Sequence, residues 1–185
     1  MSAQYKNQVR IIGGTWKRRL LRFPQIDGLR PTPDRVRETL FNWLGQDCTG
    51  LVCLDLFSGS GALAFEAASR NASKVVAVET AKPALEALRS NQATLAASNL
   101  EIVWSDAMRF LDSTPQRFDV VFLDPPFASD LLAAALERLP RILNEGAQVY
   151  AECAKWPELA GWEIIKEGHA GQVQYGLLRR AETSM

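Results

Sequence analysis

The chain has 185 residues, 47% of them hydrophobic, and its 21 basic and 21 acidic side chains leave a formal net charge of zero. That length suits one domain with at most a small appendage, around an ordinary globular core. No apolar run approaches the roughly 18 residues of a membrane span, residues 1–10 lack the apolar segment of a signal peptide, and Cys48, Cys53 and Cys153 match neither a disulfide frame nor a zinc site; a cytoplasmic protein without membrane or metal partners is expected.

Residues 9–12 and 15–23 read as two short strands around Gly13-Gly14, a hairpin signal. The hairpin carries Arg10, Lys17, Arg18, Arg19 and Arg22. Residues 1–37 hold nine Lys or Arg against Asp27 and Asp34, a net +7, and the rest of the chain is −7. A basic head on an acidic body suits docking on a polyanion; an ordinary solvated basic strand is the plainer alternative. We expect residues 1–31 to be a basic hairpin extension and residues 32–185 the main domain. Trp16, beside Lys17 and Arg18, either stacks on a ligand or packs down.

Thr32-Pro33 then opens a helix, with Thr32 as cap and Pro33 in the first position. Val36, Leu40, Trp43 and Leu44 recur on one face, and Gly45 is the stop. Free N–H groups at this helix start could hold a ligand carboxylate; a capped surface helix is the competing reading.

From residue 51 the pattern alternates. Strands fall at 52–57, 74–79, 101–104, 118–124 and 147–153, with helices near 62–70, 81–97, 107–112 and 129–143. This order implies an α/β fold with right-handed crossovers and a parallel sheet covered on both faces. Residues 162–167 and 172–180, separated by Gly-His-Ala-Gly, close the sheet as an antiparallel pair. His169 is then a surface turn residue, and Trp104, Phe110 and Trp156 belong to the core.

The chemistry lies at the strand ends. Asp55-Leu56-Phe57-Ser58-Gly59-Ser60-Gly61-Ala62 follows the first of these strands and opens a helix. Gly59 and Gly61 permit a tight turn and close approach of a ligand to backbone N–H groups, although a purely structural turn reads the same way. Glu79 stands 20 residues after Gly59, where a carboxylate receives ribose hydroxyls. Asp55 before the glycines repels a pyrophosphate and suits an ammonium. S-adenosylmethionine carries an ammonium, a sulfonium and a ribose but no phosphate. Asp106 then either accepts from the adenine amine or caps the next helix, and the two roles are compatible.

Asp124-Pro125-Pro126-Phe127 ends the apolar strand 118–123. The prolines forbid strand continuation and helix start alike. A carboxylate, a carbonyl outside any helix and a stacking ring together suit a flat ring with an exocyclic amine, hence a nucleobase. None of the cysteines has an adjacent proline, so attack on a pyrimidine C5 is not indicated.

The series Asp55–Gly61 with Phe57, Glu79, Asp106 and Asp124-Pro125-Pro126-Phe127 resembles the motifs of class I S-adenosylmethionine-dependent methyltransferases that modify amines. Arg10-Ile11-Ile12-Gly13-Gly14, Lys17-Arg18-Arg19 and the run from Arg30 to Asn42 are similar to the RsmD family. The likeness spans residues 9–180. It implies a Rossmann-like seven-stranded sheet with an antiparallel C-terminal hairpin, and methylation of a guanine N2 amine in bacterial 16S rRNA or the small ribosomal subunit. Asp124, Pro125 and Phe127 would be catalytic. Asp55, Phe57, Gly59, Gly61, Glu79, Asp106 and Thr32 would bind cofactor, and Arg10, Lys17, Arg18, Arg19 and Arg22 would bind RNA. A chain this size can work as a monomer.

Other readings remain in view. An adenine-N6 methyltransferase would use the same tetrapeptide, but the DNA-directed form lacks room here for a target-recognition domain. A glutamine methyltransferase usually has Asn where Asp124 stands. A nicotinamide dehydrogenase conflicts with Asp55. A non-catalytic RNA-binding assembly factor conflicts with the intact Asp124, Glu79 and glycines.

Overall fold

The computed structural model describes residues 5–127 and 129–182. β1 (Asn7–Arg10) and β2 (Leu20–Phe23) pair antiparallel, from Asn7 opposite Phe23 to Arg10 opposite Leu20. The tight turn expected at Gly13-Gly14 is instead a broad loop over residues 11–19. Tertiary contacts draw this segment out of the ladder. Thr15 N–H donates to the Ser69 carbonyl (2.7 Å), Trp16 N–H to Ser69 Oγ (2.9 Å), and the Ser69 hydroxyl to the Gly13 carbonyl (2.6 Å). At Gly14 (φ 76°) an added Cβ would lie 1.9 Å from the Ser69 carbonyl oxygen, so only glycine fits. Lys17, Arg18 and Arg19 therefore ride on an exposed loop and not on a strand, and Trp16 packs partly buried against the core.

α1 (Asp34–Trp43) begins after Pro33, which takes the cap position without a side-chain hydrogen bond. The Thr32 hydroxyl is committed elsewhere, as described below, so Thr32 is not the cap. The buried face of α1 is Val36, Arg37, Leu40 and Phe41, while Trp43 and Leu44 are only partly covered.

The remaining chain alternates: β3 (Val52–Asp55), α2 (Ala62–Ser69), β4 (Lys74–Glu79), α3 (Lys82–Leu95), β5 (Leu100–Trp104), α4 (Ala107–Ser113), β6 (Phe118–Leu123), α5 (Leu131–Arg138) with a 3-10 turn over Leu139–Ile142, then β7 (Leu143–Cys153), β8 (Trp162–Ala170) and β9 (Val173–Arg180). The sheet runs β5-β4-β3-β6-β7-β9-β8. β3 to β7 are parallel, and β9 lies antiparallel to both β7 and β8. The β8–β9 ladder continues to Ala170 opposite Val173, so the connection is Gly171-Gln172 and not Gly168 to Gly171. Gly171 (φ 61°) supplies the positive φ that a two-residue turn needs. His169 is an exposed strand residue.

Apolar side chains of the sheet face two clusters, one on each side, as a sheet covered by helices on both faces requires. Phe110 is buried, but Trp104 is 64% exposed, against the expectation of a core residue. It ends β5, the outermost strand, where no further strand covers it. Strand order reverses between β3 and β6. In such sheets ligands enter the crevice beyond the strand C-termini at that reversal.

One buried ionic knot ties the N-terminal hairpin to this core. The Glu66 carboxylate, on the wholly buried α2, accepts from Ile12 N–H (3.0 Å), Gly13 N–H (2.8 Å), Arg37 Nη1 (3.2 Å) and Arg70 Nε (3.0 Å). Arg37 also donates to the carbonyls of Thr32 and Arg10 and to Asp34 Oδ1 (2.5 Å). Arg37 is fully buried and paired, so its charge is unavailable to a polyanion.

Candidate active site

The C-terminal ends of β3, β4, β6 and β7 converge on a cleft of about 750 Å³. That volume is ample for a cofactor and part of a substrate. Thr32, Asp55, Phe57, Gly59, Glu79, Asp106, Asp124, Pro125 and Phe127 all line it. Gly61 stands behind the wall, between the lining residues Ser60 and Ala62. Its φ of 82° and a Cβ position 2.6 Å from Leu88 Cδ2 show that packing alone demands glycine there. Arg10, Lys17, Arg18, Arg19 and Arg22 are exposed on the N-terminal hairpin and do not line the cleft.

Asp55 ends β3 and is 2% exposed. Its Oδ2 accepts from Ala64 N–H (3.2 Å). Burial, reinforced by the charge of Glu79, pushes this carboxyl up to about 7. A cation placed beside it would restore its charge. Glu79 latches the glycine loop: Oε2 accepts from Gly59 N–H (2.7 Å), and Oε1 from Thr80 N–H (3.1 Å) and Ala81 N–H (3.0 Å). A carboxylate offers about four lone-pair sites, so one on Oε2 stays open to a hydroxyl. Asp106 caps α4 through Oδ1, which accepts from Arg109 N–H (3.0 Å), and still faces the cleft. Capping and ligand contact are thus compatible.

Asp124 follows β6, with Pro125 buried and Phe127 51% exposed at the cleft mouth. Burial, and after it the neighbouring Glu152 charge, holds the Asp124 carboxyl well above the usual carboxylate range. Glu152 went unnoticed in the sequence. Leu123 pairs with Ala151, which sets Asp124 and Glu152 side by side at the ends of β6 and β7. Glu152 is 5% exposed, and its Oε1 accepts from the hydroxyls of Tyr150 (2.6 Å) and Thr32 (2.8 Å). Here is the true engagement of Thr32. The available signal was a charged residue at the C-terminal end of an apolar strand, next in the sheet to the strand of Asp124. Arg30, which the sequence offered as part of the basic head and of the family-like run but not as a cleft residue, and Tyr175 also line the cleft.

The charge of this lining tests the cofactor. Asp27, Asp55, Glu79, Asp106, Asp124 and Glu152 line the space, with Arg30 the one basic residue among the described lining. Such a set rejects a pyrophosphate and fits a cationic ligand bearing ribose hydroxyls. A seven-stranded sheet with a reversed C-terminal hairpin, and an acidic crevice at its topological switch point, defines a class I methyltransferase. The chain also matches the family model described as "Conserved hypothetical protein 95" over residues 9–179. It belongs to that family, the RsmD family of methyltransferases. Ribosomal RNA small subunit methyltransferase D of Escherichia coli K12 is 44% identical over 179 residues, which is 94% of this chain and 90% of that protein. The Haemophilus influenzae protein of the same name is 42% identical over 181 residues, 93% of this chain and 94% of its own. The solved structure described as "Putative methyltransferase yhhF from Escherichia coli" superposes with a TM-score of 0.86 at 43% identity, covering 96% of this chain and all of that one.

Proposed function

We propose that this protein transfers the methyl group of S-adenosylmethionine to the exocyclic N2 amine of a guanine in 16S ribosomal RNA. The observation that carries this reading is the seating of Asp124-Pro125-Pro126-Phe127 in the same cleft as the Asp55, Glu79 and Asp106 carboxylates. The names of the relatives supply the RNA class. When bound, the cofactor supplies a methyl carbon made electrophilic by its sulfonium.

The chain's own residues do the rest. Asp55 would pair with the cofactor ammonium, Glu79 accept from ribose hydroxyls and Asp106 accept from the adenine amine. The helix start after Thr32-Pro33 would face the cofactor carboxylate, and Arg30 at the cleft offers it a cation. The target base must leave its stack to reach the cleft, and Phe127 gives it a ring to lie on. The guanine N2 lone pair is delocalised into the ring. Asp124 Oδ and the Pro125 carbonyl accept from the two N–H groups and turn that lone pair toward the methyl carbon. Asp124 would take the proton that the amine releases as it is methylated. Positioning supplies most of the rate. Outside the cleft, Arg10, Lys17, Arg18, Arg19 and Arg22 contact phosphates, which adds affinity without choosing sequence. We take residues 1–31 as this docking extension.

The test is label partition. With methyl-labelled cofactor and, separately, naked 16S rRNA, assembled small subunits and duplex DNA, label is expected in ribosomal RNA. Label confined to DNA would refute the reading.

A further inference from the structure

We propose that Glu152 reads the N1–H of the target purine and so makes this site choose guanine over adenine, an inference that rests on the methyl-transfer reading above. Asp-Pro-Pro-Phe presents acceptors to any planar amine. Glu152 adds a second carboxylate next to the first, because Leu123 and Ala151 are paired and the next residue of each strand is acidic. Its orientation is held: Oε1 receives both the Thr32 and Tyr150 hydroxyls, while among the described residues no donor reaches Oε2. The residue lines the same cleft as Asp124 and Phe127.

The edges of the two purines differ in the respect that matters. Guanine presents N1–H directly beside its N2 amine, two donors in a row. Adenine presents a bare N1 acceptor beside its N6 amine. Two adjacent carboxylates therefore match guanine at both positions. Facing adenine, the Glu152 oxygen would stand lone pair against lone pair in a desolvated pocket, which rejects the wrong base as much as it selects the right one. Glu152 is a positioning residue for specificity, and no proton transfer is assigned to it.

The experiment compares kcat/KM on an RNA substrate carrying guanine or 2-aminopurine at the methylated position. 2-Aminopurine keeps the reacting amine but exposes N1 as an acceptor. The protein is expected to prefer guanine by about 10- to 100-fold, the range of one well-formed base contact. Glu152→Gln, whose amide can donate to N1, should shrink that preference at least tenfold while cofactor affinity stays within about threefold. If this variant does not fold, Tyr150→Phe serves: it removes one anchor of Oε1, keeps the ring, and must lower the preference. Equal use of both substrates by the unmodified protein, or an unchanged preference in the folded variant, overturns the proposal. Complete failure to methylate guanine would instead refute the underlying function.

Discussion

Asp124→Ala should reduce methyl transfer by about 10³-fold or more while leaving cofactor affinity within about threefold. The size follows from what is lost. A positioned acceptor of this kind contributes 10² to 10⁴ in rate, and Asp124 both orients the amine and receives its proton. The groups assigned to the cofactor lie at the ends of β3 and β4, at the cap of α4 and just before α1, separate from Asp124, which follows β6, so binding there survives. The substitution should not harm folding. A carboxyl held above its ordinary range in the folded protein disfavours the folded state once pH exceeds the unfolded value. Removing it is neutral at low pH and stabilising at high pH. The same shift sets the pH dependence of the intact enzyme. Below its raised pKa the carboxyl is protonated and donates where it should accept. The single-turnover rate should therefore rise with pH through that range, and Asp124→Asn, which accepts but cannot take the proton, should show a lower and flatter profile. Rapid-quench assays with labelled cofactor, paired with calorimetric binding, measure both quantities. Turnover surviving in Asp124→Ala would remove Asp124 from the mechanism.

Glu66→Ala is expected to cost about 3–5 kcal/mol, the usual range for breaking a buried ion pair. Four donors converge on this one carboxylate, two of them backbone N–H groups and two guanidinium groups. Without it, Arg37 keeps two backbone carbonyls but only one carboxylate among the described residues, that of Asp34, whose side chain is 57% exposed. For a domain of this size such a loss lowers Tm by about 10 °C. Glu66→Gln, which still accepts but carries no charge, should fall between the two. The loss should also free the loop over residues 11–19, since Ile12 and Gly13 are held there by Glu66. Thermal melting gives the first effect, and limited proteolysis at Lys17, Arg18 and Arg19 the second. A melting point within 2 °C of the parent would show that the knot contributes no stability.

The alternating strands and helices were legible because β4, β5 and β6 are mainly apolar runs bounded by polar residues. β4 falls at the expected residues 74–79. What escaped depends on distant partners. The loop at residues 11–19 is shaped by Glu66 and Ser69, more than 50 positions away. Thr32 looked like a helix cap because Pro33 follows it, yet its hydroxyl meets a carboxylate 120 positions later. The pairing of Asp124 with Glu152 is a property of β6–β7 register, which no single strand reveals. Trp104 looked like core by hydrophobicity, but position at the sheet edge decided its exposure. Arg37 counted as free positive charge until folding buried it. The motifs at Asp55, Glu79, Asp106 and Asp124 were readable because strand C-termini gather in one crevice whatever the intervening chain does.

The most direct measurement is the nucleoside composition of small-subunit ribosomal RNA from cells with and without this protein. N2-methylguanosine should fall by one residue per 16S rRNA in the deletion strain, and the intact gene should restore it where Asp124→Ala does not. Unchanged N2-methylguanosine, or loss of N6-methyladenosine in its place, would contradict the guanine-N2 reading.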